Sequence, residues 1–425
     1  MVMDLDLPAG VTPSPVALLL LGRGADATSE RGVDCPGELP AASDPDLVAR
    51  AAAARATLGE RAFVLGHHYQ RDEVIQFADV TGDSFRLAQQ AAARPEAEHI
   101  VFCGVHFMAE SADILTGPHQ RVVLPDLAAG CSMADMATFD QVEECWDVLA
   151  DAGVAEATVP VSYMNSSADI KGFTGRHGGT ICTSSNAEQA LGWAFAQGDA
   201  RAGMVGGVPG GGVPGGGGLG GGVPGGKVLF LPDQHLGRNT AVLRLGLALD
   251  DCVLYDPHRQ NGGLTPDALR AAKVILWRGH CSVHGRFRRE CVDEVRERIP
   301  GVTVLVHPEC RHDVVTSADL VGSTEYIIRT VEQAPAGAAF AIGTELNLVQ
   351  RLARAHPDKT VAFLDRTVCF CSTMNRIDLP HLVWVLESLA AGTVVNQITV
   401  DAETARYARA ALDQMLALPQ MLSRP

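Results

Sequence analysis

One pattern of residues occurs three times in this 425-residue chain, and each copy ends in a cysteine. A copy has a histidine or tyrosine after a β-branched run, then a hydroxyl residue, then the cysteine. Two copies share their spacing; they are His67, Ser84, Cys131 and His307, Thr324, Cys371. In both, 17 residues separate the first two positions and 47 separate the last two. Copies of one supersecondary unit place equivalent residues at equivalent points of a fold, so we expect these distant cysteines in related positions.

The middle copy consists of Tyr163, Ser184 and Cys281, and its second interval is longer, at 97 residues. A low-complexity segment that repeats Val-Pro-Gly-Gly, 203–226, lies in this interval. Glycine-rich sequence cannot offset its ordering entropy, so we predict a surface insertion without a role in catalysis. Three equivalent cysteines could hold an iron–sulfur cluster at three corners and leave the fourth open. The alternative is that they are ordinary buried thiols, which are common.

The composition argues against several classes of function. A formal net charge of −16 argues against broad binding to nucleic acid or to anionic membranes. The longest apolar run near the start, 16–21, is too short to span a bilayer and lacks the basic flank of a signal peptide. Eleven cysteines in a chain of this length do not resemble a disulfide scaffold. We therefore expect a cytoplasmic protein with thiols available for a metal.

Short β-branched runs alternate with amphipathic stretches, which is typical of βαβ units with parallel sheets. We predict helix over most of 72–92, a helix near 107–115 and a helical tail from Leu379 that packs back on the first unit. The predicted strands are 62–65, 100–103, 122–124, 159–163, 180–183, 228–231, 274–277, 302–306, 339–342 and 361–364. The predicted division is an N-terminal extension 1–45, a first unit 46–131 plus 376–425, a second unit 132–281 and a third unit 282–375. In each copy the polar groups follow strand ends, where open α/β sheets bind ligands.

An ordered set of motifs extends from about residue 55 to about residue 400. In chain order they are GHHYQRDEVIQFADVTGDS, GVHFMAESADIL, GCSMADM, VSYMNSSADIKG, TSSNA, LPDQHLGRNTA, RGHCSVH, HPECRHDVV, GSTEYII, GTELNLV and STMNRIDL. Together they resemble the quinolinate synthase family, the iron–sulfur enzymes of de novo NAD biosynthesis. The resemblance implies three similar α/β/α sandwich domains with short parallel sheets around a pseudo-threefold axis, in agreement with the repeat. The Val-Pro-Gly-Gly segment is not a family motif.

The resemblance also implies a 4Fe–4S cluster held by Cys131, Cys281 and Cys371, with one iron free to act as a Lewis acid. Cys369 is a rival for the third position. The family's third ligand is typically followed by two residues and then methionine. Cys371 is followed by Ser-Thr-Met374 and fits this pattern, whereas Cys369 does not. His284 is a candidate neighbour of the cluster.

By the same resemblance, an imine dicarboxylate is bound by residues from all three copies. They are His67, Ser84, Tyr163, Asn165, Ser184, His307, Glu309 and Thr324. Ser84, Ser184 and Thr324 stand at expected helix starts, where their plain role would be N-capping. His307 and Glu309, separated by one proline, can together transfer protons at neutral pH. Tyr69 and Tyr163 are further candidates for catalysis.

The reaction that this resemblance implies is the condensation of iminoaspartate with dihydroxyacetone phosphate to quinolinate, phosphate and water. A transient contact with the L-aspartate oxidase that supplies the imine is a further expectation. Two alternatives stay open on the residues alone. The fourteen histidines would suit a zinc hydrolase, although the chain has no paired short-spaced ligand set. A non-catalytic iron–sulfur sensor would need a fourth protein ligand.

Overall fold

The structure is a computed structural model, and it describes residues 39–205, 225–367 and 370–418. Its strands are β1 Ala62–His67, β2 Val80–Gly82, β3 His99–Cys103, β4 Arg121–Val123, β5 Thr158–Tyr163, β6 Thr180–Cys182, β7 Lys227–Leu231, β8 Cys252–Tyr255, β9 Val274–Trp277, β10 Thr303–Val306, β11 Leu320–Val321, β12 Ala339–Gly343, β13 Thr360–Phe363 and β14 Gln397–Ile398. The predicted extension 1–45 lies mostly outside the described residues, as do Cys369 and nearly all of the Gly-rich segment.

The α-helices of the same ranges follow or separate these strands. They are α1 Leu47–Leu58, α2 Asp72–Ile75, α3 Ser84–Ala92, α4 His106–Leu115, α5 Phe139–Asp151, α6 Ala168–Arg176, α7 Ala187–Val205, α8 Gln234–Leu243, α9 Pro266–Ala271, α10 Arg289–Arg298, α11 His312–Val315, α12 Thr324–Gln333, α13 Leu346–Ala355, α14 Leu379–Ala390 and α15 Ala402–Ala417. None of them is both long enough and apolar enough to cross a membrane.

The strands form three short sheets, and the predicted α/β fold with three such units is confirmed. The first sheet has the order β14-β4-β3-β1-β2, the second β6-β5-β7-β9-β8 and the third β11-β10-β12-β13. Every pairing is parallel except that of β14 with β4. The strands of the three sheets fall within 46–131 plus 376–425, within 132–281 and within 282–375. The central strands are buried on both faces, since helices cover both sides of a parallel sheet.

Helix covers most of 72–92, as predicted, but it is interrupted. The chain forms α2, then the edge strand β2, then α3, because Asp79 ties this segment to β1. The Asp79 N–H donates to the Val64 carbonyl, and the Val64 N–H donates to Asp79 Oδ2 at 2.7 Å. Asp319 makes the same two bonds to Val304 in the third sheet. The short strands β8, β11 and β14 are likewise absent from the sequence prediction, because two to four residues carry too little periodicity.

The C-terminal tail reaches two of the three sheets. Strand β14 extends the first sheet, while α15 lies along α6 beside the second. The approach of α15 to α6 is close at Gly175, where any Cβ atom would overlap the carbonyl oxygen of Tyr407. The tail therefore packs on the first sheet through β14 and on the second through α15.

Candidate active site

One cavity is lined by residues that follow strands of all three sheets. It has about 730 Å³ of atom-free space, part of it open to solvent. All twelve residues predicted for the site line it; they are His67, Tyr69, Ser84, Cys131, Tyr163, Asn165, Ser184, Cys281, His307, Glu309, Thr324 and Cys371. Most of them follow the carboxyl ends of parallel strands. The three copies of the sequence pattern therefore meet at one place in the fold.

The three cysteines start the same local structure. A single 3₁₀ turn begins three residues after each of them; these turns are Ala134–Met136, His284–Arg286 and Met374–Arg376. In each case the N–H four residues on donates to the cysteine carbonyl; the donors are Asp135 at 3.0 Å, Gly285 at 2.8 Å and Asn375 at 3.0 Å. The long helices α5, α10 and α14 then begin eight residues after the cysteines. The repeat in the sequence thus corresponds to a repeated backbone turn.

This turn directs a backbone N–H at each sulfur atom. The Ala134, His284 and Met374 amides, each three residues after a cysteine, hydrogen-bond to the thiols of Cys131, Cys281 and Cys371. Hydrogen bonds to cysteine sulfur are one of the protein's means of tuning an iron–sulfur cluster. Burial raises the pKa of all three thiols, that of Cys131 to about 12, so a metal would have to displace their protons. Three soft donors with equivalent N–H···S bonds fit a thiolate-held cluster.

A second, smaller donor set overlaps this one. The ligand atoms of Cys281, His284 and Glu309 all lie within 4.8 Å of one another, close enough for a single metal ion. However, His284 Nδ1 and Glu309 Oε2 already hydrogen-bond to each other at 2.7 Å. Within the described ranges, the residues thus offer either a three-cysteine cluster or one ion bound by mixed ligands. The rival Cys369 lies outside those ranges.

The two repeat histidines are held as neutral donors. The Tyr69 N–H donates to His67 Nδ1 at 3.1 Å, and the Glu309 N–H donates to His307 Nδ1 at 3.4 Å. Because Nδ1 accepts in both rings, the ring proton is on Nε2. Burial is the largest cause that lowers the pKa of each histidine to about 3. Both side chains therefore offer an uncharged N–H group.

Glu309 is the centre of the polar network, and its partners differ from the expected ones. Tyr163 donates its hydroxyl to Glu309 Oε1 at 2.5 Å. The histidine bonded to the carboxylate is His284, whereas His307 Nδ1 lies 3.9 Å away. Burial acts to raise the pKa of the Glu309 carboxyl, but His284, His307 and the two hydrogen bonds outweigh it and lower the pKa to about 2. Glu309 is thus a buried carboxylate (2% exposed) that accepts two hydrogen bonds.

The hydroxyls at two helix starts are not used for capping. Asp83 and Ser323 accept the capping N–H groups of α3 and α12. Ser84 and Thr324 are therefore not the N-caps of these helices. Thr324 Oγ1 lies 2.9 Å from the Tyr69 hydroxyl, which is also 2.9 Å from Thr344 Oγ1. Burial is the main cause that raises the pKa of Tyr69 far above its usual value. Tyr69 therefore keeps its proton.

The sequence reasoning missed two residues of this site and underused a third. Thr344 connects Tyr69 to His284 Nε2, which lies 3.1 Å from its hydroxyl. Glu345 is fully buried, caps α13 and accepts the Cys371 N–H at 3.4 Å. Burial is the main cause that raises the pKa of Glu345 to about 7. Both residues occur in the quoted motif GTELNLV, but nothing in its spacing assigned them a role. His284 was placed near the cluster, yet its bond to Glu309 was not foreseen.

Comparison with known proteins identifies the family of this chain. The family model described as NadA, quinolinate synthetase A protein, matches residues 51–201 and 222–417. The chain belongs to the quinolinate synthetase A family. It is 70% identical over 411 residues to a quinolinate synthase of Streptomyces coelicolor, covering 96% of this chain and 98% of the relative. It is 69% identical over 409 residues to one of Nocardioides sp., with the same coverage, and 53% identical over 378 residues to one of Acidobacterium capsulatum (88% and 94%). The family resemblance of the motifs is confirmed.

Proposed function

We propose that this chain is a quinolinate synthase, which condenses iminoaspartate with dihydroxyacetone phosphate to quinolinate, phosphate and water in de novo NAD biosynthesis. The observation that supports this most is the meeting of three cysteines and nine polar residues at one cavity. Family membership supports the same reaction. A 4Fe–4S cluster on Cys131, Cys281 and Cys371 would supply an open iron as a Lewis acid.

The polar residues are suited to a small dianionic substrate. Among the described residues, no lysine or arginine lines the cavity, so binding depends on neutral donors. These are the Nε2–H groups of His67 and His307, the hydroxyls of Ser84, Ser184 and Thr324, and the Asn165 amide. Ser84 and Thr324 begin helices of nine and ten residues, where unpaired N–H groups favour negative charge. Each carboxylate of the imine can thus be bound without a buried cation at the reacting atoms.

The network around Glu309 is suited to proton transfer. Its carboxylate accepts from Tyr163 and His284, so a proton taken up at Glu309 has two neighbouring groups with which it can be exchanged. Tyr69 holds its proton within reach of Thr324 and Thr344 and is placed to donate to a leaving hydroxide. In this proposal Glu309 is the base, Tyr69 and Tyr163 are proton donors, and His307 orients the substrate.

Two expectations about the surroundings belong to the proposal. A reducing compartment, the cytoplasm, would keep the three buried cysteines as ligands rather than disulfides, and none of the described cysteines is paired with another. The substrate imine would come from an L-aspartate oxidase through a transient contact, since the imine is unstable in water.

One anaerobic preparation tests the assignment. Iron, acid-labile sulfide and zinc are counted per chain, and quinolinate is assayed from the two substrates. Brown protein with matching iron and sulfide that forms quinolinate supports the proposal. Fully loaded protein that forms no quinolinate contradicts it.

The same counts of iron, sulfide and zinc test the alternative interpretation of the site as a mononuclear metal centre. A zinc hydrolase would contain zinc without sulfide, bound by Cys281, His284 and Glu309. It would keep its metal when Cys131 or Cys371 is replaced by serine, because neither residue belongs to that set. A cluster enzyme loses its metal in both variants.

A further inference from the structure

Lys171 is a buried cation beside the cavity. It lies in the first turn of α6, and its side chain is fully buried. Burial is the main cause that lowers its pKa, to about 8, while Glu110 and Cys131 act to raise it. The start of a helix also disfavours positive charge. A lysine in such a position needs a compensating negative charge nearby.

The direct contacts of the ammonium do not supply that charge. Lys171 Nζ donates to the carbonyl of Ser166 and lies 5.3 Å from the ring centre of Phe107. Within the described part of the chain, no carboxylate oxygen comes within the 4.0 Å that defines an ion pair with Nζ.

Glu110, the carboxylate that acts to raise the pKa of Lys171, is engaged elsewhere. Its Oε2 accepts the Ala168 N–H at 2.9 Å, and its Oε1 faces His106 Nδ1 at 3.5 Å. Glu110 therefore offsets the charge of Lys171 only from a distance.

The remaining candidate for the compensating negative charge is the group of cysteines at the cavity. Phe107, whose ring lies under the ammonium, lines the cavity together with Cys131, and Cys131 is the other group besides Glu110 that acts to raise the pKa of Lys171. The ammonium is also fixed in position, because Ser166 belongs to the loop that carries Tyr163 and Asn165. The Ser166 hydroxyl bonds in turn to the Tyr163 carbonyl at 2.9 Å.

We propose that the counter-ion of Lys171 is the thiolate-held cluster, so that Lys171 is a positioning residue that sets the electron affinity of the cluster from the Cys131 side. This inference rests on the proposed iron–sulfur function. Three thiolates give the group a net negative charge, and adding one electron increases it. A fixed cation stabilises the reduced form, so losing that cation makes reduction harder.

The test is a redox titration of the intact, anaerobically purified protein, followed by the spectrum of the reduced cluster. Lys171→Met removes the charge and the hydrogen bond, Lys171→Gln removes the charge but keeps an N–H donor, and Lys171→Arg keeps both. We expect the ratio of reduced to oxidised cluster at a fixed potential to fall about tenfold in the Met and Gln variants. This equals a shift of about 59 mV to more negative potential for one electron. The Arg variant should stay within about twofold of the wild type.

Two controls separate charge from structural damage. Lys273→Met removes a lysine paired with Asp251 outside the cavity and should leave the ratio unchanged. Asp135→Asn removes an exposed carboxylate that acts on Cys131 and should shift the ratio slightly the other way. Damage that admits water to the cluster would favour the more highly charged reduced form, which is also opposite to the expected shift.

The outcomes distinguish the two proposals. Wild-type protein without iron and sulfide would overturn both. A loaded cluster whose ratio is unchanged in Lys171→Gln, or shifted equally in Lys171→Arg, would overturn the role of Lys171 and leave the proposed function standing. If Lys171→Met does not fold, the Gln and Arg variants still decide.

Discussion

The surroundings of Cys131 and Cys281 differ although their backbones are the same. Both cysteines begin the same turn, with the same N–H directed at sulfur. Three residues on, however, Cys281 has His284, bonded to Glu309, where Cys131 has Ala134. Three of the apolar lining residues, Val105, Phe107 and Met108, belong to the first sheet's part of the chain. The backbone turn that would hold a metal is thus repeated, while the polar pair suited to proton transfer, His284 and Glu309, lies beside Cys281.

The starts of the helices α4, α8 and α13, which follow strands β3, β7 and β12, also differ between the three sheets. The residue immediately before the helix, two positions after the strand, is Asp233 before α8 and Glu345 before α13, and both cap their helices. The equivalent residue in the first sheet is Val105, which makes no side-chain cap. The Cys131 side therefore lacks this carboxylate and has the buried Lys171 nearby instead. We infer that the three cysteine turns are equivalent in backbone geometry, as the proposed cluster would require, and differ in the charged groups around them.

The largest expected effect tests whether the three cysteines are equivalent as ligands of the proposed cluster. Cys131→Ser, Cys281→Ser and Cys371→Ser should each abolish activity and leave a missing or degraded cluster, because one thiolate of three is lost. Iron and sulfide counts and the visible spectrum measure this. Cys291→Ser, a free cysteine outside the cavity, and Cys369→Ser should keep the cluster. Retention in Cys371→Ser together with loss in Cys369→Ser would move the third ligand to Cys369.

The next effect tests whether the chemistry lies on the Cys281 side. Glu309→Gln removes the carboxylate charge that accepts hydrogen bonds from Tyr163 and His284 while keeping the size of the side chain. We expect kcat to fall by about 10²–10⁴ with iron and sulfide unchanged. The matched control is Glu387→Gln, which weakens a partly buried pair with Arg50 outside the cavity. Loss of metal together with activity would instead make Glu309 a ligand.

A smaller effect distinguishes the capped helix starts from the uncapped one. Asp233 Oδ1 accepts the N–H groups of His235 at 2.6 Å and Leu236 at 2.8 Å. Asp233→Ala should therefore reduce the free energy of unfolding by about 1–2 kcal/mol, and Asp233→Asn should restore most of it, since asparagine caps equally well. Urea denaturation under anaerobic conditions measures the difference. An Asn variant as unstable as the Ala variant would show that the charge, and not the cap, is what matters.

The smallest effect lies near Cys131. The pKa of His106 is raised, chiefly by its hydrogen bond to Glu110, although its side chain is 42% exposed. A raised pKa means that the pair stabilises the fold below about pH 6.5, the unfolded value, and that this contribution is lost as the pH rises through the folded pKa. With screening by solvent, about 0.5 kcal/mol is expected. His106→Asn should thus lower Tm more at pH 5.5 than at pH 8.5, and equal losses would contradict the assignment.

Much of the architecture could be predicted from the sequence because it is local. The strands of the βαβ units are short apolar runs whose limits differ from the prediction by one or two residues at most. The break at Asp79 could not be predicted, because a three-residue edge strand is stabilised by its bonds to Val64 and not by its own pattern. The lining residues of the cavity followed from the repeat and the family motifs, since equal spacing places them at equivalent strand ends.

The sequence by itself determined three copies of one cysteine turn and the set of residues that would meet. Only the tertiary structure decided which groups bond to each other. Tyr163 and Glu309 are 146 residues apart, and Glu309 pairs with His284 rather than with its sequence neighbour His307. The physical reason is that spacing along the chain fixes backbone turns, whereas hydrogen bonds and buried charges such as Lys171 depend on how separate sheets pack around one cavity.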